Sequence, residues 1–289
     1  MAGPLSANPM HASSRLSFLS RKLSVKETLI SLGVLVPTLL YAILFLYAWL
    51  FSDVLIFRPQ PSSYRDTDGI IKLPTHDGFR ISARYLPNPK ASFTILYSHG
   101  NSEDLGDIEP ALATLHNLGF AVLAYDYEGF GTSQGVPSEH HAYRDIDAAY
   151  AYLTTVLAVP PDRIIAYGFS VGGGPAIDLA SRKPLAGLIV ESAFVSAFQV
   201  VVPIPLLPFD KFPNLDKIAA VKCPVLILHG TADSVVPAQH AEKLFRAAPE
   251  PKRLVLVDGA DHFGIKWDGH NRYARAMEEF PSLIRSHRP

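Results

Sequence analysis

Cysteine is almost missing from this chain: among 289 residues only Cys223 carries a thiol, so no disulfide can close within it. A cysteine-ligated metal site is disfavoured on the same count. Its setting, Val221-Lys222-Cys223-Pro224-Val225 ahead of an apolar run, points to packing. Charge of one sign is missing too. Twenty-six Lys and Arg are balanced by 27 Asp and Glu, and no long basic run occurs beyond the N-terminus. Nothing therefore marks a nucleic-acid groove, and nucleic acid is not an expected partner. No H-E-x-x-H or other ligand cluster is present, so no metal is expected. No G-x-G-x-x-G follows the first candidate parallel strand, which removes the dinucleotide-binding alternative, and no cofactor is expected. There is no N-x-S/T glycosylation site and no internal repeat. With 48% hydrophobic residues the chain can bury one sizeable core, but it is too short for two large domains.

The most consequential absence is charge between Thr28 and Ser52. A helix of about 25 residues rises roughly 37 Å, enough to cross a hydrocarbon core of about 30 Å with some tilt. Tyr47 and Trp49 suit an interface, and Pro37 is tolerable as a kink in a membrane helix. The run exceeds a signal peptide's usual apolar region and no A-x-A site ends it, which favours an uncleaved anchor. Arg15, Arg21, Lys22 and Lys26 precede the span, with Glu27 as the only acid. The positive-inside rule places that end in the cytoplasm and the bulk of the chain across the membrane. The expected division is a polar tail (1–27), a single-pass transmembrane anchor (28–52) in a lipid bilayer, and one folded domain (53–289). Its first residues, 53 to about 64, read as a connector lying against that domain.

Beyond the connector, short apolar runs at Gly69–Leu73, Arg80–Tyr85, Phe93–Tyr97, Ala121–Tyr125, Arg163–Tyr167, Gly187–Val190, Val225–Leu228 and Arg253–Val257 read as strands. The first two form an antiparallel pair around Thr75-His76-Asp77-Gly78. The later ones alternate with helical segments near 107–118, 139–157, 172–182, 238–248 and 269–285, as parallel βα units do. The fold class is α/β: an α/β-hydrolase fold with a mostly parallel eight-stranded sheet flanked by helices. A cap-like segment over 192–222 is rich in Pro and large apolar residues. It is either a loop packed on its own domain or an apolar lip beside the site, with Phe194, Phe198 and Phe209 as substrate-contacting candidates.

Ile165-Ala166-Tyr167-Gly168-Phe169-Ser170-Val171-Gly172-Gly173 carries the chemistry. A buried strand runs into G-x-S-x-G and then a helix start, the order a nucleophile elbow requires. A hydroxyl nucleophile needs a base within hydrogen-bond reach and an acid to orient that base. Asp233 follows the apolar run Val225–Leu228, and His262 follows Arg253–Val257, giving the chain order Ser, Asp, His. Asp233 could otherwise be a turn cap, and His262 a solvent-exposed loop residue. Asp258 and Asp261 are rival acids but lie too close to His262 in sequence. His140, His141 and His240 fall at or in helices, and His229 suits support of a strand-end turn. Two backbone donors are needed for the oxyanion: Val171 N–H, and a donor after strand Phe93–Tyr97, with Asn101 preferred over Ser102.

The segments Tyr97-Ser98-His99-Gly100-Asn101-Ser102-Glu103-Asp104-Leu105-Gly106, Tyr125-Asp126-Tyr127-Glu128-Gly129-Phe130-Gly131-Thr132-Ser133, Pro137-Ser138-Glu139 with Tyr143-Arg144-Asp145-Ile146, and Phe209-Asp210-Lys211-Phe212-Pro213-Asn214-Leu215-Asp216-Lys217-Ile218 carry a family likeness. Together with the elbow and the Asp233 and His262 loops, the chain resembles the Bem46-like α/β-hydrolase domain proteins over about residues 53 to 285. These are membrane-associated serine hydrolases, some of them protein depalmitoylases. The resemblance implies Ser170 as nucleophile, Asp233 as acid and His262 as base, and a lipid or acylated small-molecule or protein substrate. Unlike the animal depalmitoylases, which attach through a Cys-rich lipidated N-terminus, this chain has no Cys there. The resulting expectation is a serine hydrolase cleaving esters or thioesters. A peptidase or amidase with the same triad, or a scaffold that merely retains the fold, stands beside it; oligomeric state is not legible.

Overall fold

The computed structural model describes residues 24–67, 69–268 and 270–287. Most of the expected polar tail, with Arg15, Arg21 and Lys22, lies outside the described residues. The chain divides into two compact units, one ending at Leu50 and one beginning at Phe51.

Helix α1 (Val25–Ile56) contains the expected span and extends beyond it at both ends. Its stretch Leu29–Ile56 has a mean hydropathy of 2.4 and is long enough to span a membrane. Pro37 lies inside it, and next to that missing donor Thr38 Oγ1 donates to Val34 O at 2.8 Å. The connector expected from residue 53 therefore starts late, since Asp53–Ile56 are still helical. The sequence offers no helix breaker before Pro59. Phe57 then drops into the core, its ring edge-on to Tyr127, Phe130 and Phe212 at 6.0, 6.2 and 5.9 Å.

The second unit is built on one eight-stranded sheet: β1 (Ile70–Pro74), β2 (Arg80–Leu86), β3 (Thr94–Ser98), β4 (Ala121–Tyr125), β5 (Ile164–Phe169), β6 (Gly187–Glu191), β7 (Val225–Gly230) and β8 (Lys252–Val257). The order across the sheet is β1-β2-β4-β3-β5-β6-β7-β8. Only the β1–β2 and β2–β4 pairs are antiparallel; from β4 to β8 the neighbours run parallel. β5 shows why these runs are apolar throughout. Ile164 and Ala166 enter one core layer while Ile165 and Tyr167 enter the layer on the opposite face, so a strand covered on both sides has no polar face to spare.

One layer takes α3 (Glu139–Ala151), α4 (Gly173–Arg182), α6 (Asn214–Ile218) and α7 (Gln239–Ala247); the other takes α2 (Glu109–Asn117) and, after the short turn α8 (Ile265–Asp268), α9 (His270–His287). α3 starts on Ser138, whose Oγ accepts from His141 N at 3.1 Å. The helix expected to reach 157 closes at Ala151 and continues as a wider π turn over Tyr152–Val156, keeping Leu153 in the core. Within 192–222, α5 (Ala197–Val201) and α6 are separated by an irregular stretch containing Pro203, Pro205 and Pro208. Cys223 is buried, and burial pushes its thiol up to about 12, as packing rather than chemistry requires.

Phe57 is only 2% exposed, which makes the start of the second unit a structural part of it. Phe57→Ala is expected to lower the unfolding free energy by about 3–5 kcal/mol in detergent-solubilised protein followed by denaturant titration. A loss below about 1 kcal/mol would show that this segment lies outside the cooperative core.

Candidate functional site

Ser170 sits where β5 ends and α4 is about to begin, with φ of +53°. A non-glycine residue in that left-handed region is strained, and the surrounding backbone has to hold it there. The flanking glycines make the turn possible. A Cβ on Gly168 would collide with the carbonyl of Gly172, and one on Gly172 with the carbonyl of Ser98 on β3. Neither obstacle is a movable side-chain end. The G-x-S-x-G spacing is therefore the condition for packing a strand, a turn and a helix start against the neighbouring strand.

The structure brings the three expected side chains together. Ser170 Oγ lies 3.0 Å from His262 Nε2, and His262 Nδ1 donates to Asp233 Oδ2 at 2.8 Å. All three are buried. Ser170, Asp233 and His262 follow β5, β7 and β8, so the parallel sheet delivers them to one edge from distant points in the chain.

Asp233 is held as a carboxylate. Its Oδ1 accepts from Val235 N at 2.9 Å and Val236 N at 2.7 Å, while His229 Nε2 stands 3.3 Å from Oδ2. Burial alone would push this carboxyl up, but the hydrogen bonds from His229, His262 and the Val236 N–H outweigh it and hold the group well below the usual carboxylate range. His229 Nε2 also donates to Val236 O at 2.7 Å, so the support expected of His229 reaches the acid itself. The rival acids serve turns: Asp261 Oδ1 accepts from Phe263 N and Gly264 N, and Asp258 Oδ1 accepts from Thr231 Oγ1. His240 Nδ1 accepts from Val195 N, which binds the start of the 192–222 segment to α7.

His262 is fixed from several sides. Ser192 Oγ donates to its carbonyl at 3.1 Å, and the rings of Phe169 and Phe263 stand 5.3 and 5.0 Å from its imidazole. Four residues on, Lys266 Nζ meets the buried Glu191 carboxylate at 2.7 and 2.9 Å, and Tyr167 Oη donates to the same group. A buried pair of this kind is costly to break, so it restrains the helical turn that follows the imidazole.

Ser170 and His262 open into a cleft of about 330 Å³. Asn101, Ser102, Val171 and Phe194 line it. Phe198 and Phe209 do not: they face each other at 5.6 Å, edge to face, and Ala197, Val200 and Val201 line the cleft in their place. The reason is helical geometry, since α5 turns Ala197, Val200 and Val201 to one side and Phe198 to another. Leu55, Ile56, Val235, Val236 and Phe263 also line the cleft and were not anticipated. A signal was available for three of them, because Val235, Val236 and Phe263 sit within three residues of Asp233 or His262. For Leu55 and Ile56 there was none. Chemically, the arrangement offers a hydroxyl hydrogen-bonded to an imidazole, in a recess lined mainly by aliphatic and aromatic side chains with Arg58 and Glu103 at its polar side.

The serine aminopeptidase, S33 family model matches residues 88–211. Over 210 residues the chain is 38% identical to alpha/beta hydrolase domain-containing protein 17B of Xenopus tropicalis, covering 71% of this chain and 72% of that protein. The Homo sapiens protein of the same name is 37% identical over 212 residues, covering 72% and 73%. Among solved structures, the Pyrococcus furiosus esterase Pf2001 superposes with a TM-score of 0.67 at 19% identity, covering 78% of this chain and 99% of that one, a likeness of fold. With an eight-stranded mostly parallel sheet and relatives of this identity and coverage, the chain belongs to the α/β-hydrolase family of the alpha/beta hydrolase domain-containing 17 proteins and is by class a serine hydrolase.

Proposed function

We propose that this protein is a membrane-anchored esterase or thioesterase acting on lipid or acyl-protein substrates, with Ser170 as nucleophile, His262 as general base and Asp233 as the orienting acid. The observation that carries this is the continuous hydrogen-bond chain from Ser170 Oγ through His262 to Asp233 at the floor of an apolar cleft. Ser170 Oγ attacks the acyl carbon and its proton passes to His262 Nε2. The N–H groups of Val171 and Asn101 receive the oxyanion. His262 then protonates the departing alkoxide or thiolate, leaving an acyl-Ser170 ester. Water, deprotonated by His262, attacks this ester and releases the carboxylic acid. Asp233 stays ionised throughout and holds the Nδ1–H tautomer in place.

An acyl chain as the substrate's recognised part is supported by the aliphatic lining from Leu55, Ile56, Ala197, Val200 and Val201, and by a helix long enough to hold the enzyme at a bilayer. The basic residues ahead of the span support a cytoplasmic N-terminus with the hydrolase domain (53–289) on the other side. A second reading, amide or peptide hydrolysis with the same residues, draws on the serine aminopeptidase description of the matching family model.

Two outcomes test these roles. Ser170→Ala should reduce release of fatty acid from palmitoyl thioester and matched oxygen-ester substrates by at least about 10³-fold. Turnover that survives the substitution would remove Ser170 from the chemistry, and Ser170-dependent cleavage of aminoacyl amides alone would favour the second reading. The other outcome concerns pH. Because Asp233 has a folded-state pKa below its unfolded value of about 4, its ionisation favours the folded chain above that pH, and the contribution is lost as pH falls through the folded-state value. Asp233→Asn should therefore flatten the fall of the unfolding temperature below about pH 4 and lower kcat about 10⁴-fold. Identical acid slopes for the two proteins would contradict the ionised role.

A further inference from the structure

We propose that the last turn of α1 is a working part of the active site, in which it acts as the positioning element for Asn101 and hence for the oxyanion loop. This rests on the assignment of the Asn101 N–H as an oxyanion donor. Every other hydrogen-bonding group of Asn101 for which a partner is seen turns toward the end of that helix. Its Nδ2 donates to Ile56 O at 3.1 Å, and its carbonyl accepts from Arg58 N at 3.0 Å. The physical reason lies in the helix itself. The last carbonyls of an α-helix have no partner within it, and Ile56 O is one of them. A side-chain amide is a suitable donor for such an oxygen, and Asn101 supplies it.

The neighbouring residues of the loop are held from elsewhere. His99 Nδ1 donates to Gly100 O at 2.7 Å, Tyr127 Oη donates to His99 O at 2.8 Å, and Gly100 N donates to Glu103 Oε2 at 2.9 Å. The His99 contact thus holds the Gly100–Asn101 peptide, which carries the Asn101 N–H, from its carbonyl side, and the helix end holds the same residue from the other side, through its side chain and the peptide that follows.

That helix end is rigid enough to serve as a reference. Lys211 Nζ meets the Asp53 carboxylate at 3.0 and 3.1 Å, and Glu139 N donates to the same carboxylate at 3.1 Å. Just beyond, Phe57 is locked among three aromatic rings. Between these two fixed points, Leu55 and Ile56 line the cleft that contains Ser170. The segment that joins the membrane span to the hydrolase unit thus supplies both a wall of the cleft and the clamp on its oxyanion loop. An oxyanion donor displaced by a fraction of an ångström loses much of its effect, because stabilisation depends on donors aimed where charge develops.

The test uses the full-length protein in detergent, with an ester substrate whose turnover depends on Ser170. Asn101→Ala keeps the backbone N–H and removes the clamp on Ile56 O. Asn101→Asp keeps the shape and turns the donor into an acceptor, which serves should the alanine variant fold poorly. Both are expected to lower kcat roughly tenfold with KM changed less than about twofold. Binding of an alkyl boronic acid, whose tetrahedral adduct on Ser170 needs the oxyanion donors, should weaken in parallel with kcat. Thermal midpoints would stay within a few degrees of wild type. Unchanged kcat in both variants, or a loss confined to KM or to the thermal midpoint, would overturn the proposal. A wild-type protein without Ser170-dependent turnover would instead count against the hydrolase reading on which it rests.

Discussion

A single residue with left-handed backbone geometry, Ser170 at φ +53°, sets the terms for the centre of this molecule. To hold it there, β5 must stop abruptly, α4 must begin almost at once, and β3 must pass close beside the turn. Gly168 and Gly172 are the positions where those approaches leave no room for a Cβ. The strain is held by the elements on either side, since β5 is hydrogen-bonded to β3 and β6 and α4 packs on the sheet. The placing of the hydroxyl past the carboxyl edge of the sheet, where it meets the cleft, follows from this turn.

Around that turn the protein manages charge in a low-dielectric interior. Asp233 remains a carboxylate because hydrogen-bond donors converge on it, two of them main-chain groups of its own loop and two of them imidazoles. The Glu191–Lys266 pair beneath the imidazole loop is likewise buried with both partners present. Each device leaves few polar atoms unsatisfied while constraining a loop that carries chemistry. Packing and electrostatics therefore act on the same residues: Phe169 and Phe263 shield the imidazole that Ser192 and Asp233 orient.

Much of the fold could be read along the chain. Each of the eight strands was anticipated to within about two residues, because short apolar runs buried on both faces stand out between polar turns and amphipathic helices. Ser170, Asp233 and His262 were legible for a related reason. Each follows a strand, and their order in the chain restricts them to few alternatives. Phe198 and Phe209 were misplaced because composition says that a segment is apolar without saying which way a short helix turns its side chains. The helix that holds the apolar run continues past Asp53 to Ile56, and there the Asp53 carboxylate meets Lys211, far away in the chain, at 3.0 Å.

What the sequence determined by itself are the properties encoded in local pattern: an uncharged span long enough for a bilayer, an alternation of strands and helices, and a serine placed between glycines at a strand end. Periodicity, composition and the steric demands of one sharp turn suffice for these. Only the tertiary structure decided which groups meet. The pairing of Glu191 with Lys266, and the placing of Leu55 and Ile56 in the cleft wall with Asn101 on the helix end, join side chains or backbone groups from separate elements. Such contacts depend on how elements cross and which face each presents, and residue order along the chain carries no signal for a partner 45 positions away.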